Sequence, residues 1–264
     1  MRPILFSVAV LFGSAAVSHA EVKTKKVEYK FDGITFVGQI AWDDASKEKR
    51  PGVLVVHEWW GLDEYAKMRA EQLAKMGYVA FACDMYGDGK SVEPSKEHAK
   101  DAGEMSGMVR KNADVWRGRA KEALKVLAEF EFTDNDRLAA MGYCFGGSTA
   151  IQLAASGADL KAIATFHAGL PKLKPEDAKA IKCKVLVCHG ADDKFIAADA
   201  ISGFKKSLAD AKVPLDFQEY PGTVHSFTVM GSEKHKIDGM AYNKDADEKS
   251  WASMTALFAE VFKK

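Results

Sequence analysis

Short apolar segments alternate with amphipathic segments along the chain after residue 20, and this alternation predicts its secondary structure. Eight segments either alternate between apolar and polar residues or form short apolar runs, as strands do. The first two, VEYKF and ITFVGQIAW, flank Asp32-Gly33 and predict an antiparallel pair joined by a tight turn. The other six are GVLVVH (52–57), YVAFACD (78–84), LAAMGYC (138–144), LKAIATFH (160–167), CKVLVCHG (183–190) and LDFQEY (215–220).

Five further segments place apolar residues at helical spacing. The first has four apolar residues on one side, an aspartate at its expected N-cap and a glycine after its last turn: Tyr65, Met68, Leu73 and Met76, with Asp63 and Gly77. The second segment carries Trp116, Ala120, Ala123, Leu124 and Leu127. The third and fourth segments cover residues 145–155 and 200–211. The fifth carries Trp251, Met254, Phe258 and Val261.

Strands that alternate with helices over this length predict an α/β fold. We expect a doubly wound, mostly parallel sheet with helices on both faces, because the apolar face of each helix has to be buried. Residues 84–110 follow the alternation least well, since they are rich in Gly and Asp at first and in Met later. We expect this segment to form a flap over the carboxyl ends of the strands.

The amino terminus has the pattern of a secretory signal peptide. Arg2 provides a short positive region, and an apolar stretch follows over 4–17. Ser18-His19-Ala20 then places small residues at −3 and −1 of a cleavage point. The stretch is short for a membrane span, which needs about 20 apolar residues. We therefore predict a signal peptide over 1–20, a single domain over 21–264, and a periplasmic or secreted protein.

Composition narrows the classes of partner. The chain has 264 residues, with 37 Lys and Arg against 37 Asp and Glu, so its net charge is zero. Without a basic surface we expect no nucleic-acid partner. No stretch after residue 20 is long and apolar enough to span a bilayer, so we expect no membrane partner either. The pattern does not indicate an oligomeric state.

The four cysteines do not form a metal-binding pattern. Cys83, Cys144, Cys183 and Cys188 contain no C-x-x-C and no Cys/His spacing of a zinc site. Cys183 and Cys188 lie five residues apart in one predicted strand, so their side chains should point to opposite faces and not bridge. They are best interpreted as small buried hydrophobic residues. The sequence indicates no metal and no cofactor.

The strongest local motif is Gly142-Tyr143-Cys144-Phe145-Gly146-Gly147, where a strand meets a helix. This G-x-C-x-G is the cysteine form of the G-x-S-x-G nucleophile elbow, a sharp turn that lifts one side chain above the sheet. Gly142 and Gly146 lack the Cβ atoms that would clash in such a turn. The helix N-terminus favours a Cys144 thiolate, and the backbone N–H of Phe145 would point at an oxyanion. A Gly-rich turn with a buried cysteine is the alternative.

Two loops that follow later strands supply the partners of such a nucleophile. GADDKFI, after CKVLVCHG, presents Asp193 as the candidate acid, with Asp192 as the alternative. PGTVHSF, after LDFQEY, presents His225 as the candidate base. A histidine takes the thiol proton and returns it to the leaving group, while an acid holds the imidazole tautomer. Nucleophile, acid and histidine follow one another in the chain order of this motif class.

The motif His57-Glu58-Trp59-Trp60-Gly61 follows the strand GVLVVH, where this fold takes its second oxyanion N–H. We assign that N–H to Trp59 and expect Glu58 to modulate ionisation of the Cys144 thiol. A zinc motif H-E-x-x-H is excluded, because position 61 is glycine. We expect His57 and His167 to be core residues and His98 to be a solvated residue, so none of these three histidines is expected to be catalytic.

Together these motifs resemble the dienelactone hydrolase family: HEWWG, DMYGDG, GYCFGGS, GADDKFI and HSF. The resemblance covers most of residues 30–262. It implies an α/β-hydrolase fold and a Cys-His-Asp triad that opens lactones or cleaves esters through an acyl-thioenzyme. Matched motif by motif, Cys144 resembles the nucleophile, Asp193 the acid, His225 the base and Glu58 the active-site glutamate of the family.

Two stretches depart from the family pattern. Members that act on dienelactone carry arginines for the substrate carboxylate soon after the DMYG-like motif and shortly after HSF. Here GDGK (87–90) and TVM (228–230) contain no arginine, although Lys90 offers a point charge. We therefore expect a different, less anionic substrate, with Trp59, Trp60 and Tyr86 as apolar walls.

The sequence thus predicts a cysteine-dependent hydrolase whose partner is a small-molecule ester or lactone. Two other classes stay open. An exposed, activated thiol in an oxidising compartment also suits a thiol redox or scavenging protein. A binding protein on a hydrolase scaffold is the third hypothesis, because a fold alone does not determine function.

Overall fold

The computed structural model describes residues 21–263, and these form one eight-stranded sheet with helices on both faces. The strands are β1 (Val22–Phe31), β2 (Ile34–Asp43), β3 (Arg50–Val56), β4 (Val79–Cys83), β5 (Thr133–Tyr143), β6 (Ala162–Phe166), β7 (Lys184–Gly190) and β8 (Leu215–Tyr220). The helices are α1 (Glu64–Lys75), α2 (Ala99–Arg110), α3 (Ala113–Glu129), α4 (Phe145–Ala155), α5 (Pro175–Ala180), α6 (Ala198–Asp210) and α7 (Lys244–Val261).

The strands lie in the order β1-β2-β4-β3-β5-β6-β7-β8. The pairs β1–β2 and β2–β4 are antiparallel, and every pair from β4–β3 to β7–β8 is parallel. The predicted doubly wound, mostly parallel sheet is therefore confirmed. Its topology brings the carboxyl ends of β3, β5, β7 and β8 to one edge, where α/β sheets bind their ligands.

Each face of the sheet has its own hydrophobic core. Alternate residues of β3 show the division, since Leu54 and Val56 pack into one core while Val53 and Val55 pack into the other. The first core includes apolar residues of α2 to α6, and the second includes those of α1 and α7. Both faces are covered, which explains why the central strands are apolar on both sides.

Most predicted elements agree with the structure within a few residues. In α3 the buried residues are the five predicted ones: Trp116, Ala120, Ala123, Leu124 and Leu127. Cys183 and Cys188 belong to opposite cores, as predicted, and all four cysteines are free. The hairpin turn at Asp32-Gly33 is also present.

The predicted buried face of α1 is partly wrong. Asp63 caps the helix by accepting a hydrogen bond from Ala66 N at 3.3 Å, and Gly77 follows it with φ +89°. Met68 and Met76, however, are 39% and 38% exposed. The buried apolar residues are Leu73 and three alanines, Ala66, Ala70 and Ala74. The buried apolar face of α1 therefore consists mainly of small side chains, while Met68 in the helix and Met76 at its C-cap stay partly exposed.

The segment 84–110 begins as a turn held by one buried carboxylate. Asp84 accepts hydrogen bonds from the backbone N–H groups of Val37, Tyr86, Gly87 and Gly89. Its second half forms α2, which places Arg110 beside the carboxyl end of the sheet. The predicted flap therefore corresponds to a pinned turn followed by a helix.

The predicted signal peptide over 1–20 lies outside the described residues. Within 21–263, no helix combines the length and apolar character needed to cross a membrane.

Candidate active site

Cys144 lies at the junction of β5 and α4, in a backbone conformation that side chains rarely adopt. Its φ is +51° and its ψ is −114°, and it is the N-cap residue of α4.

The backbone N–H of Cys144 donates to Phe166 O at 3.0 Å, which connects the junction to β6. The first N–H groups of α4 have no partner within the helix, so the donor of Phe145 is available beside Cys144.

The glycines of the motif permit a close backbone approach. A Cβ atom on Gly142 would lie 2.2 Å from Gly146 O, and one on Gly146 would lie 2.2 Å from Val56 O. Backbone atoms cannot move aside as a flexible side chain can, so any larger residue would displace the turn or β3. The two glycines thereby hold Cys144 above the carboxyl end of the sheet.

Asp193 and His225 contact each other directly. The distance from His225 Nδ1 to Asp193 Oδ2 is 2.7 Å, and both side chains are almost fully buried. Asp193 Oδ1 also accepts from the backbone N–H of Phe195 at 2.9 Å, which fixes the carboxylate. The neighbouring alternative, Asp192, is exposed. Of the two aspartates, the structure therefore brings Asp193 to the histidine.

The environment of His225 favours its charged form. Burial by itself lowers the pKa of an imidazole, but charge and hydrogen-bond interactions with Cys144 and Asp193 outweigh burial and raise the pKa of His225 to about 10. The imidazole thus lies between a thiol and a carboxylate, both of which stabilise an imidazolium. Such an arrangement suits a histidine that accepts a proton from the thiol.

Glu58 is buried behind this group. Ser226 Oγ donates to Glu58 Oε1 at 3.3 Å, and His167 Nδ1 lies 3.7 Å from the same oxygen. Burial and the nearby Asp63 raise the pKa of Glu58 to about 7, although His225 and Ser226 act in the opposite direction. Glu58 therefore changes charge near neutral pH.

The histidine before Glu58 has a structural role. His57 is completely buried, and its Nε2 accepts from the backbone N–H of Met85 at 3.1 Å. Its Nδ1 therefore carries the hydrogen and donates to the carbonyl of Glu58. His57 joins β3 to the segment after β4, in agreement with its predicted place in the core.

A cavity of about 580 Å³ opens above Cys144 and His225. Most of its other lining residues are apolar or small: Trp59, Trp116, Ser148, Gly169, Leu170, Pro171, Phe195, Ile196, Ala197, Ala200 and Met240. Its size and its apolar walls fit a small organic molecule. Cys144 and His225 line the same cavity, although the His225 side chain is almost fully buried.

Three residues predicted to bind substrate do not line this cavity. Trp60 is 1% exposed and packs against Trp59 and His235. Tyr86 is buried behind Trp59, to whose carbonyl its hydroxyl donates at 2.9 Å. Lys90 is exposed and pairs with Asp88 at 3.2 Å. Sequence proximity to the HEWWG and DMYG motifs did not distinguish residues that support the wall from residues that form it.

Arg110 lines the cavity and was missed by the sequence analysis. It is the last residue of α2, and its guanidinium lies 5.3 Å from the ring centroid of Phe145. No motif surrounds Arg110, because helix packing alone brings it to the site. Among the described residues that line the cavity, Arg110 is the one arginine or lysine.

Within residues 21–263 no three His, Cys, Asp or Glu side chains are grouped so as to hold a metal ion. The polar side chains that line the cavity include the thiol of Cys144, the imidazole of His225, the guanidinium of Arg110 and the hydroxyl of Ser148.

Comparison with known proteins gives the same architecture. The solved structure named m3DLH superposes with a TM-score of 0.88 at 39% identity and covers 92% of this chain and 99% of its own. A dienelactone hydrolase-like promiscuous phosphotriesterase from metagenomic libraries has a TM-score of 0.88 at 36% identity, with the same coverage. Protein usf of Aquifex pyrophilus is 29% identical over 238 residues, which is 89% of this chain and 97% of that protein.

The model of the dienelactone hydrolase family matches residues 37–262. The chain belongs to the dienelactone hydrolase family. It has the α/β-hydrolase fold of that family and is a hydrolase that acts on esters or lactones. In this family member Cys144 and His225 lie at the wall of the largely apolar cavity, with Asp193 behind the histidine.

The contact between Asp193 and His225 can be tested by titration. In Asp193→Asn the imidazolium loses its anionic partner, so we expect the pKa of His225 to fall by about one to three units. The imidazole signals followed by NMR against pH measure this shift. Asp192→Asn is the matched control and should leave the His225 titration unchanged. Equal shifts in both variants would contradict the assignment.

Proposed function

We propose that this protein is a cysteine-dependent hydrolase of small esters or lactones, with Cys144 as nucleophile, His225 as base and Asp193 as the acid that orients the histidine. The observation that carries the proposal is the Asp193–His225 contact at 2.7 Å, on a histidine that shares the cavity wall with Cys144. An imidazole with one nitrogen bound to a carboxylate directs its other nitrogen to a second group. The influence of Cys144 on the pKa of His225 supports the thiol as that group.

The reaction has two stages. His225 takes the thiol proton, and Cys144 Sγ attacks the carbonyl carbon to give a tetrahedral oxyanion, held by the backbone N–H groups of Phe145 and Trp59. The bond to the alkoxy oxygen then breaks, and His225 returns the proton to that oxygen. Water next attacks the thioester, gives its proton to His225, and breaks the carbon–sulfur bond. The carboxylic acid leaves, and the proton returns to Cys144.

Glu58 has a supporting role in this proposal. It is buried beside Ser226, the residue that follows His225, and its charge affects the pKa of that histidine through the reciprocal interaction. The resemblance to the family also assigns an active-site glutamate to this position. Glu58 would thereby modulate ionisation of the Cys144 thiol from behind the cavity wall.

The cavity indicates the kind of substrate. Its walls are mostly apolar, which favours an apolar acyl or alcohol group, as expected when the family arginines are absent. Arg110 modifies that expectation, because a guanidinium at the wall suits one anionic group. We therefore propose substrates that are largely apolar and carry no more than one negative charge.

We also propose that the mature protein, residues 21–264, acts in the periplasm or outside the cell. The support is the signal-peptide pattern over 1–20. N-terminal sequencing of the exported protein is expected to begin at Glu21. Recovery of the intact chain from the cytoplasm alone would contradict this proposal.

The nucleophile is tested by Cys144→Ala. We expect turnover of p-nitrophenyl esters and small lactones to fall by at least about a thousandfold, because no other group forms the thioester. The panel should be run with and without reductant, and should include a phosphotriester because one relative hydrolyses such compounds. Cys183→Ala, which changes a buried cysteine immediately before β7, is the control and should retain turnover.

The panel also separates the competing hypotheses. Full turnover in Cys144→Ala would exclude the thioester mechanism. A folded, reduced wild-type protein that consumes peroxide without esterase turnover would indicate the thiol redox class. Tight ligand binding with an unreactive thiol would indicate a binding protein.

The contribution of Arg110 is tested by Arg110→Gln. For an ester that carries a carboxylate we expect KM to rise by about tenfold, as for the loss of one charged hydrogen bond. For a neutral ester of the same size KM should not change. Lys111→Gln removes a neighbouring exposed charge outside the cavity lining and is the matched control. Equal effects on both esters would show that Arg110 does not contact an anionic group.

A further inference from the structure

Behind Glu58 lies a buried histidine that the proposed reaction does not use. His167 follows β6, is fully buried, and has a φ of +40°, a strained value for a residue with a side chain. Its Nδ1 faces Glu58 Oε1 at 3.7 Å and has no hydrogen-bond partner among the described residues. Its Nε2 lies 2.8 Å from Thr228 Oγ1. The imidazole thus connects the glutamate to a second polar group.

That second group continues into a chain of buried hydrogen bonds. Tyr65 Oη lies 2.7 Å from Thr228 Oγ1 and 3.1 Å from Thr228 O. Arg69, one turn later on α1, donates from Nε to Tyr65 Oη at 3.1 Å and from Nη2 to Thr228 O at 3.1 Å. The ion pair with Asp247 at 2.6 Å anchors the arginine.

The donor and the acceptor of each hydrogen bond in this chain can be assigned by starting from Arg69. A guanidinium only donates, so Arg69 occupies lone pairs on Tyr65 Oη and on Thr228 O. The hydroxyl hydrogen of Tyr65 is then best placed on Thr228 Oγ1, the nearer acceptor. The hydroxyl hydrogen of Thr228, in turn, finds its acceptor at His167 Nε2. An imidazole that accepts at Nε2 carries its hydrogen at Nδ1.

The contact between His167 Nδ1 and Glu58 requires the same tautomer of His167. An ionised carboxylate only accepts, so a neutral imidazole that faces it favourably must present an N–H. His167 stays neutral because burial, and then the charge of His225, hold its pKa well below the usual value. The two ends therefore agree on the Nδ1–H tautomer whenever Glu58 is charged.

We propose that His167 is a positioning residue for Glu58: the chain from Arg69 through Tyr65 and Thr228 holds its Nδ1–H toward Glu58 and stabilises the ionised carboxylate. The tautomer follows from the contacts alone. Its consequence for catalysis rests on the proposed function, in which Glu58 modulates the Cys144 thiol.

The other groups around Glu58 set the background for this effect. Asp63 at the start of α1 opposes its ionisation, whereas His225 and Ser226 on the loop after β8 favour it. Tyr65 and Tyr143 are neutral near pH 7, because burial raises the pKa of each hydroxyl. Burial and the charge of Asp63 both disfavour the ionised form of Glu58, and the N–H of His167 favours it. Loss of that N–H would therefore raise the pKa of Glu58.

The tautomer is measured directly by long-range proton–nitrogen NMR of protein labelled with ¹⁵N-histidine. At roughly pH 8.5, where Glu58 is ionised, we expect the wild-type signals of His167 to report the Nδ1–H form. An Nε2–H form at that pH would overturn the proposal, and this measurement needs no variant. It also needs no turnover, so it is separate from the outcome of Cys144→Ala.

The variant Tyr65→Phe tests the chain of hydrogen bonds that leads from Arg69 to His167. It removes the hydrogen directed at Thr228 Oγ1, so the Nδ1–H form should lose population. The pKa of Glu58, followed through its ¹³C carboxyl signal and assigned with Glu58→Gln, should rise by about half a unit or more. Tyr78→Phe is the matched control, because Tyr78 packs against Phe258 and Phe262 in the same core as Tyr65 but is not part of the hydrogen-bonded chain. An unchanged Glu58 midpoint in folded Tyr65→Phe would overturn the proposal.

A double variant distinguishes the chain from a general packing effect. In His167→Asn the side-chain amide can present an N–H in place of Nδ1 without depending on Thr228, and asparagine tolerates a positive φ. Adding Tyr65→Phe to this background should not move the pKa of Glu58. An undiminished shift there would show that Tyr65 acts other than through His167.

The same variants give a catalytic readout if the proposed function holds. The acid limb of the pH profile of kcat/KM in Tyr65→Phe should move upward together with the Glu58 midpoint. Movement of the carboxyl signal without movement of the profile would keep His167 as the partner of Glu58 and remove Glu58 from catalysis. Movement of neither would overturn the proposal.

Discussion

The close backbone contact between the turn after β5 and the end of β3 is the constraint on which the site depends. A single added Cβ at Gly142 or Gly146 would meet a carbonyl oxygen at 2.2 Å. The contact holds Cys144 at a φ of +51° and places the N-terminus of α4 beneath it. Two covered faces of the sheet keep both strands in place, so the strain is supported by the whole fold.

This constraint places several ionisable groups in apolar surroundings. Asp193, His225, Glu58 and His167 are each at least nine-tenths buried, and each has a polar neighbour from a different element. Burial raises the pKa of Glu58 to about 7, whereas the interactions of His225 with Cys144 and Asp193 reverse the effect of burial on the pKa of that histidine. Partners thus outweigh burial at His225, whereas burial is the largest effect at Glu58 and at His167.

The predictive value of the sequence differed from element to element. In α3 the large residues Trp116 and Leu127 define the buried face, so periodicity identified it correctly. In α1 the face toward the sheet is made of alanines, and the larger methionines at the rim misled the prediction. For the acid, motif spacing placed two aspartates in one loop. Only the folded loop shows that Asp193 faces His225 while Asp192 faces solvent.

The sequence by itself determined the eight strands, five of the seven described α-helices, the elbow around Cys144, the family, and the candidate histidine and acid, because local spacing and turn chemistry encode them. The tertiary structure decided which side chains form the cavity. Packing places Arg110 of α2 at the cavity, whereas Trp60, Tyr86 and Lys90 do not line it. Packing also connects Arg69 to His167 by hydrogen bonds through Tyr65 and Thr228. These contacts connect residues far apart in the chain, and their geometry depends on how whole helices pack against the sheet, which no local pattern contains.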